Sequence, residues 1–174
     1  MANKTEQDVV AHLGELIQGI KVAMMTTVEE DGSLRSRPMW TQNRPFDGKL
    51  WFFTREHSAK VDEVEHDHHV SLAYSEPSKS RFVSVSGRCQ LVTDKAMAAQ
   101  LWDPTLKAWF PDGLEDPELS LLCITVEKAE YWDTPNSRMV QLIGFVKATL
   151  TGDTYKPGDH QKVDVAGSST PSMH

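Results

Sequence analysis

Residues 35–60 read RSRPMWTQNRPFDGKLWFFTREHSAK, and this stretch carries the clearest information about the fold. Strand-forming segments stand on both sides of a turn-rich connection that contains Pro45 and Asp47-Gly48. Ser58 then precedes a helical pattern and is suited to cap it. The stretch therefore predicts, in order, a strand over 34–41, a loop over 43–48, a strand over 49–54 and a short helix up to about His66.

Pro38 constrains the first of these strands. Proline has no backbone N–H group, so it cannot donate a hydrogen bond to a neighbouring strand. The strand must therefore lie at an edge of its sheet, contain a bulge or face a ligand at this position.

Short strands dominate the rest of the chain. Residues 21–28 are β-rich and end in the turn signal Glu-Glu-Asp-Gly, which predicts a hairpin with the strand over 34–41. Further strands are predicted over 69–75, 81–93, 119–133 and 140–149, and helices over 6–18, 94–101 and 104–110. Hairpin-like spacing without βαβ alternation indicates a mostly β protein with short helices (α+β), built on an antiparallel barrel of about six to seven strands.

The length of 174 residues favours one domain, which we place at residues 1–150. From 151 to 174 the composition turns to Gly, Pro, Ser, Thr and Asp, and we expect a mostly flexible C-terminal tail. No apolar run approaches the roughly 20 residues of a membrane span, and the first ten residues are too polar for a secretory signal. These features predict a cytoplasmic protein with no membrane partner.

The charge is distributed unevenly. The chain carries a net charge of −7, which argues against nucleic acid as a partner because phosphate contacts dominate that affinity. Residues 35–60 nevertheless hold six basic and two acidic residues, a local balance of +4. A small cluster of positive charge in an acidic chain suits the binding of a compact anion. Alternatively, Arg44, Lys49 and Arg55 are solvated turn charges.

Two groups of side chains could hold that anion. Arg35 and Arg37 share one face of their strand and need a partner, which is solvent, a carboxylate or a bound anion. A guanidinium group suits phosphate because its donors form a planar fork. Ser58 and Lys60 stand at a predicted helix start, where free N–H groups and the helix dipole favour phosphate. The alternative is a simple helix cap beside a solvated lysine.

The order of several motifs resembles the pyridoxamine-phosphate-oxidase-like superfamily, and within it the bacterial general stress protein 26 group. After the N-terminal helix come Met-Met-Thr-Thr, Gly-Ser-Leu-Arg-Ser-Arg-Pro-Met, Leu-Trp-Phe-Phe-Thr and Ser-Ala-Lys. The likeness covers about residues 6–150. It implies a homodimer of split β-barrels that binds FMN, or alternatively FAD, at the subunit interface.

The resemblance also implies which residues contact the flavin. The strand residues beside the ring and ribityl chain would be Arg35, Ser36, Arg37, Pro38 and Met39. The ribityl and phosphate end would contact Phe53, Thr54, Ser58, Ala59 and Lys60. The partner subunit would contribute Trp132 and the turn at residues 79–82. The Ser-Ala-Lys motif lacks the arginine that the oxidases carry between serine and lysine, and Arg37 or Arg55 could replace it.

Three functions are compatible with this resemblance. The first is an FMN-dependent oxidoreductase that uses NAD(P)H or another small-molecule reductant on an unidentified substrate. The second is a stress-related flavin carrier or sensor without turnover, and the third is a dimeric interaction module that has lost its flavin site. No catalytic residue is assigned, because a flavin itself carries the redox step. No arginine follows Arg138, whereas the oxidases end in an arginine-rich motif, which argues against pyridoxamine phosphate oxidation.

Other chemistry-bearing residues favour structural roles. Residues 66–69 read His-Asp-His-His, but a helix end followed by a strand start would scatter these side chains, so we predict no metal site. Cys89 and Cys123 are predicted to be buried free thiols. Trp102, Trp109 and Phe110 are predicted to serve mainly in packing.

Overall fold

One antiparallel sheet organises the chain. The computed structural model describes residues 6–42, 44–133 and 159–164. The strands are β1 (Val22–Val28), β2 (Leu34–Trp40), β3 (Lys49–Arg55), β4 (His69–Glu76), β5 (Arg81–Val92), β6 (Leu119–Asp133) and β7 (Asp159–Asp164). The helices are α1 (Glu6–Ile17), α2 (Ala59–His66) and α3 (Lys95–Leu101), with 3₁₀ turns at Pro77–Lys79, Pro104–Ala108 and Gly113–Glu115.

The strands follow the order β2-β1-β4-β5-β6-β3 and curl into a half-barrel. The long strand β6 pairs with β5 along one edge, while its other edge pairs first with β3 and then with β7. Strands β2 and β3 come close to each other at the ends of this path, and within the described residues no ladder joins them. Pro38 thus lies on an edge strand of the described sheet, which is one of the three placements that its missing donor allows.

Side-chain alternation divides the apolar residues between two clusters. The larger fills the concave side of the sheet and includes Met25, Leu72 and Val85, with Leu13 and Leu16 of α1 covering it. Burial of each such side chain contributes about 1.5–3 kcal/mol to the free energy of folding. The smaller cluster lies on the opposite face of β3 and β6, beneath residues 94–118. Its buried members are Phe53, Ala98, Leu106, Phe110 and Leu121.

Gly87 allows β5 and β6 to approach closely. The register between these strands shifts between Ser86 and Gly87, which marks a bulge. A Cβ atom at Gly87 would lie 2.1 Å from the carbonyl oxygen of Thr125. Only glycine fits this position without moving the backbone.

The structure agrees with most predicted elements and differs at three places. The helix predicted over 104–110 is a 3₁₀ turn that ends at Ala108, and a second such turn, for which no element was predicted, follows at Gly113–Glu115. Strand β7 was not predicted, because its sequence DHQKVD contains one apolar residue; it lies within residues 151–174, for which we expected a mostly flexible tail, and pairing with β6 corrects that expectation at residues 159–164. The strand predicted over 140–149 lies outside the described residues. Within the described residues, no helix is long and apolar enough to cross a membrane.

Candidate functional site

The two faces of β2 present different chemistry. Arg35, Arg37 and Met39 point to the concave side of the sheet, whereas Ser36 and Pro38 are exposed on the convex face. The side chain of Met39 is buried in the larger core cluster, so only its backbone remains for a ligand. The hydroxyl of Ser36 forms a 2.7 Å hydrogen bond with that of Thr26 on β1.

Arg37 is held by Glu63, a residue of α2. Its Nη2 lies 2.5 Å from Glu63 Oε2, and its Nη1 donates to Thr27 Oγ1 at 2.9 Å. Thr27 in turn donates to the same carboxylate oxygen of Glu63. The side chains of Arg37 and Glu63 are only 16% and 10% exposed, so this triad joins β1, β2 and α2 with little solvent screening.

Arg35 shares the same carboxylate. Its Nη1 lies 3.7 Å from Glu63 Oε1 and 3.5 Å from Glu29 Oε1. Partial burial raises the pKa of Glu63, but the hydrogen bond from Thr27 and the charges of both arginines outweigh burial and hold that pKa below its ordinary value. The partner of the arginine pair is therefore a carboxylate, and the pair alone is no longer evidence for an anion site.

Arg55 also pairs with carboxylates of the protein itself. Its Nη1 lies 3.1 Å from Glu118 and 3.5 Å from the buried carboxylate of Asp116, and its Nη2 donates to the carbonyl oxygen of Trp109 at 2.9 Å. Arg55 is thus an anchor for residues 109–118, and its interpretation as a solvated turn charge is wrong. Arg44 likewise pairs with Asp47, at 3.1 Å. The local balance of +4 is largely cancelled by carboxylates from outside residues 35–60.

The junction of β3 and α2 brings two hydroxyl groups together. Ser58 precedes α2 with an extended backbone, as predicted, but its side chain makes no capping hydrogen bond. Its hydroxyl instead lies 3.2 Å from that of Thr54, which is 2% exposed. The N–H groups of Val61 and Asp62 donate to the carbonyl oxygen of Ser58. The backbone donors that the start of α2 could offer a ligand are therefore those of Ala59 and Lys60, since the first N–H groups of a helix have no partner within it. Ala59 and Lys60 begin α2, and their side chains lie outside the described residues.

Phe53 packs inside the protein. Its ring lies 5.7 Å from that of Trp102 in an edge-on contact and 6.2 Å from that of Phe110. Packing is therefore confirmed as the role of Trp102 and Phe110. Trp109 differs, because it is exposed and lies against Trp40, with 5.4 Å between the ring centres.

Trp132 belongs to an exposed apolar face on the convex side of the sheet. It pairs in register with Phe82, and both side chains are exposed. By strand register the same face presents further exposed apolar side chains, namely Val22, Met24 and Leu34. We call these five residues the convex apolar face. Trp132 lies far along the sheet from Ser58 within one chain, so a shared flavin would require a second subunit.

The sequence did not reveal Glu63 or Thr27 as members of the site. Thr27 stands opposite Arg35 in the predicted hairpin, so its proximity could have been read from the register. Glu63 follows Arg37 by 26 residues and reaches it only because α2 packs across β1. The flavin contacts assigned to Arg35–Met39, Phe53, Thr54, Ser58–Lys60 and Trp132 stay predictions.

A known family matches most of the chain. The family described as pyridoxamine 5'-phosphate oxidase like matches residues 8–156. The chain belongs to the pyridoxamine 5'-phosphate oxidase-like family. The family resemblance stated from the sequence is thereby confirmed, and the half-barrel is the predicted split β-barrel.

Individual members of the family illustrate the likeness. Protein bli-3 of Neurospora crassa is 28% identical over 150 residues, which are 80% of this chain and 72% of the fungal protein. A crystal structure of a Jannaschia protein described as general stress protein 26 shares the fold, with a TM-score of 0.75, 22% identity and coverage of 91% of this chain and 99% of that one. The general stress FMN/FAD binding protein of Xanthomonas citri has a TM-score of 0.64 and 29% identity, over 75% of this chain and 92% of that one.

Proposed function

We propose that this protein binds FMN at the junction of β3 and α2 and, as a homodimer, catalyses a flavin-dependent redox reaction on a small molecule. The observation that carries the proposal is the Thr54–Ser58 hydroxyl pair beside the uncapped start of α2. A relative at 29% identity, from Xanthomonas citri, is itself called an FMN/FAD binding protein. FAD is the alternative cofactor.

The residues of the junction fit a phosphate group. Thr54 Oγ1 donates to the carbonyl oxygen of Arg55 at 3.3 Å, so it can only accept from Ser58 and leaves the Ser58 hydroxyl as the side-chain donor that would turn to a phosphate oxygen. The helix start adds backbone donors and the positive end of its dipole. Lys60, in the first turn, supplies a positive charge. Arg37 and Arg55 do not replace the missing arginine in this proposal, because both are bound to carboxylates.

Bound flavin would supply the redox chemistry by accepting and returning electrons. The chain would orient the cofactor through the backbone of β2, which among the described strands lies at an edge and has only β1 as a ladder partner. Glu63 would fix α2 against β2 and so hold the Ser58 end of the site in place. The hydroxyl of Ser58 would bind the phosphate without taking part in proton transfer, and Thr54 would position Ser58.

The convex apolar face supports the proposed homodimer. Five large apolar side chains share it, and Leu34 is 72% exposed. Large apolar side chains exposed together on one face of a sheet commonly mark an interaction site. A two-fold arrangement on this face would bring Trp132 of one copy towards β2 of the other.

A flavin carrier or sensor without turnover is the second candidate. One observation favours it: Glu63 is the carboxylate nearest the arginine pair, and it is already bound by Thr27 and both arginines. That leaves it poorly suited to act as a general acid or base. The third reading, a module without flavin, is no longer opposed by the arginine pair, which binds carboxylates, but it is still opposed by the Thr54–Ser58 hydroxyl pair beside the start of α2.

Purified protein tests the proposal directly. We expect a yellow protein with absorbance near about 450 nm, the usual flavin band. Bleaching by NADH or NADPH and recovery in air would support turnover, whereas stable colour with either reductant would favour the carrier. A colourless protein that takes up no added FMN would contradict both candidates.

A further inference from the structure

A cavity of about 360 Å³ lies at the opposite end of β2 and β3 from the Ser58 junction. It is bounded by the end of α1, the connection from β2 to β3 and the 3₁₀ turn at Pro104–Ala108. Lys49 at the cavity and Thr54 at the junction are five residues apart on β3, which is about 16 Å along the strand. Its volume falls in the range of small-molecule sites, about 300–1,000 Å³.

Aromatic rings form much of its wall. Trp40, Phe46 and Trp51 line the cavity from β2, the connection and β3, and Tyr74 lines it from β4. Flat rings around a cavity of this size suit a planar ligand. The Nε1–H of Trp51 is also buried without an acceptor in the described part of the chain, and a ligand acceptor could relieve that cost.

The charged residues around the cavity are mostly basic. Three cations, Lys21, Arg44 and Lys49, line it together with one carboxylate, Asp103. Arg44 is bound to Asp47 outside the lining. Lys49 forms no ion pair with any described residue. A surplus of positive charge in a chain of net charge −7 favours an anionic ligand.

Asp103 also lines the cavity, so its negative charge must be counted with the three cations. Its hydrogen bonds from Thr105 chiefly, and the charge of Lys21 in addition, hold its pKa below the ordinary value. Asp103 is therefore ionised at neutral pH and offsets Lys21. The unmatched cation is Lys49, which stands at the start of β3 beside Trp51.

The geometry points to a second binding site, in which this cavity holds a small planar organic anion such as an aromatic carboxylate. The ring would lie among Trp40, Phe46 and Trp51, and the carboxylate would pair with Lys49. This site uses none of the residues of the Ser58 junction and does not depend on the proposed flavin function.

Isothermal titration calorimetry of the full chain tests this site with three probes. The probes are 2-naphthoate, its neutral counterpart 2-naphthalenemethanol, and acetate, which has the charge without the ring. We expect 2-naphthoate to bind about tenfold more tightly than the alcohol, and acetate to bind too weakly to measure. Equal binding of naphthoate and alcohol would overturn the assigned role of the cations.

Variants and added FMN locate the bound probe. Lys49→Gln should weaken 2-naphthoate about fivefold without changing the alcohol, because one paired charge is lost. Lys107→Gln is the matched control, since Lys107 is exposed on the 3₁₀ turn and does not line the cavity. Naphthoate binding that is unaffected by Lys49→Gln would overturn the proposal. Displacement of naphthoate by FMN would do the same, because it would place the probe in the flavin site.

Discussion

Arg37 on β2 and Glu63 on α2 are joined by an ion pair of 2.5 Å that Thr27 of β1 completes. Three elements that are separate in sequence therefore meet at one carboxylate. Because α2 begins at the Ser58 junction, the same contact fixes the position of the candidate phosphate site. The triad links the stability of the fold to the geometry of the site.

Replacing Glu63 by Gln should destabilise the protein by about 1–3 kcal/mol, because Arg37 would keep a buried charge without its counter-charge. The measurement is urea unfolding at pH 7, followed by circular dichroism. Glu65→Gln is the matched control, since Glu65 is exposed on the same helix and should change stability by less than about 0.5 kcal/mol. Equal effects of the two substitutions would show that the triad contributes no stability.

The stability that Glu63 provides should depend on pH. Its pKa in the folded chain lies below the ordinary value of 4.5. A depressed carboxyl pKa contributes stability that is fully present above the unfolded pKa and is lost as the pH falls through the folded pKa. The difference in unfolding free energy between the native chain and Glu63→Gln should thus be constant from pH 6 to about 7 and shrink below about 4.5. A difference that grows on acidification would contradict the assignment.

Local signals explain why so much of the fold could be predicted. Turn residues and side-chain alternation define each hairpin over a few neighbouring positions. Pro38 restricted β2 to an edge, a bulge or a ligand-facing position, and the structure shows the edge. Ser58 marked the start of α2 for the same reason, since capping preferences are local. The order of these elements then led to the family.

The electrostatics could not be predicted in the same way. The balance of +4 was counted over neighbouring residues, whereas the carboxylates that cancel it, including Glu63, Asp116 and Glu118, come from distant parts of the chain. The register of α2 against β1 decides which charges meet, and no local pattern encodes it. Strand β7 was missed because backbone pairing with β6 leaves no apolar signature.

Gly87 should not tolerate alanine. The added Cβ would lie 2.1 Å from the carbonyl oxygen of Thr125, so the strands β5 and β6 would have to separate. We expect a loss of about 3 kcal/mol in unfolding free energy, measured by thermal and urea unfolding. Ser86→Ala, at the neighbouring exposed position, is the control and should be nearly neutral. A Gly87→Ala protein as stable as the native chain would show that the strands do not approach this closely.

The combined substitution Ser58→Ala and Lys60→Ala tests the phosphate assignment. Because only FMN carries a phosphate, its affinity should fall about tenfold or more, while riboflavin should bind within about twofold of the native chain. Flavin fluorescence quenching gives both constants. Ser33→Ala with Lys107→Ala, two exposed positions away from the junction, is the matched control. An equal loss for both flavins would place the phosphate elsewhere.

We expect the convex apolar face to be buried in the interface of the homodimer. A charge placed on this face should therefore separate the subunits. Met24→Glu would put a carboxylate beside Pro38 and Ala73, the exposed neighbours of Met24 in register, where a dimer would exclude water. Light scattering should give twice the 19.5 kDa of one chain for the native protein and the single-chain mass for the variant. The control is Ala99→Glu, an exposed position on α3 that should leave the dimer intact. The fold should persist in both variants, because Met24 is already exposed in a single chain. A native chain that scatters as a monomer would remove the interface on which the two-subunit flavin site depends.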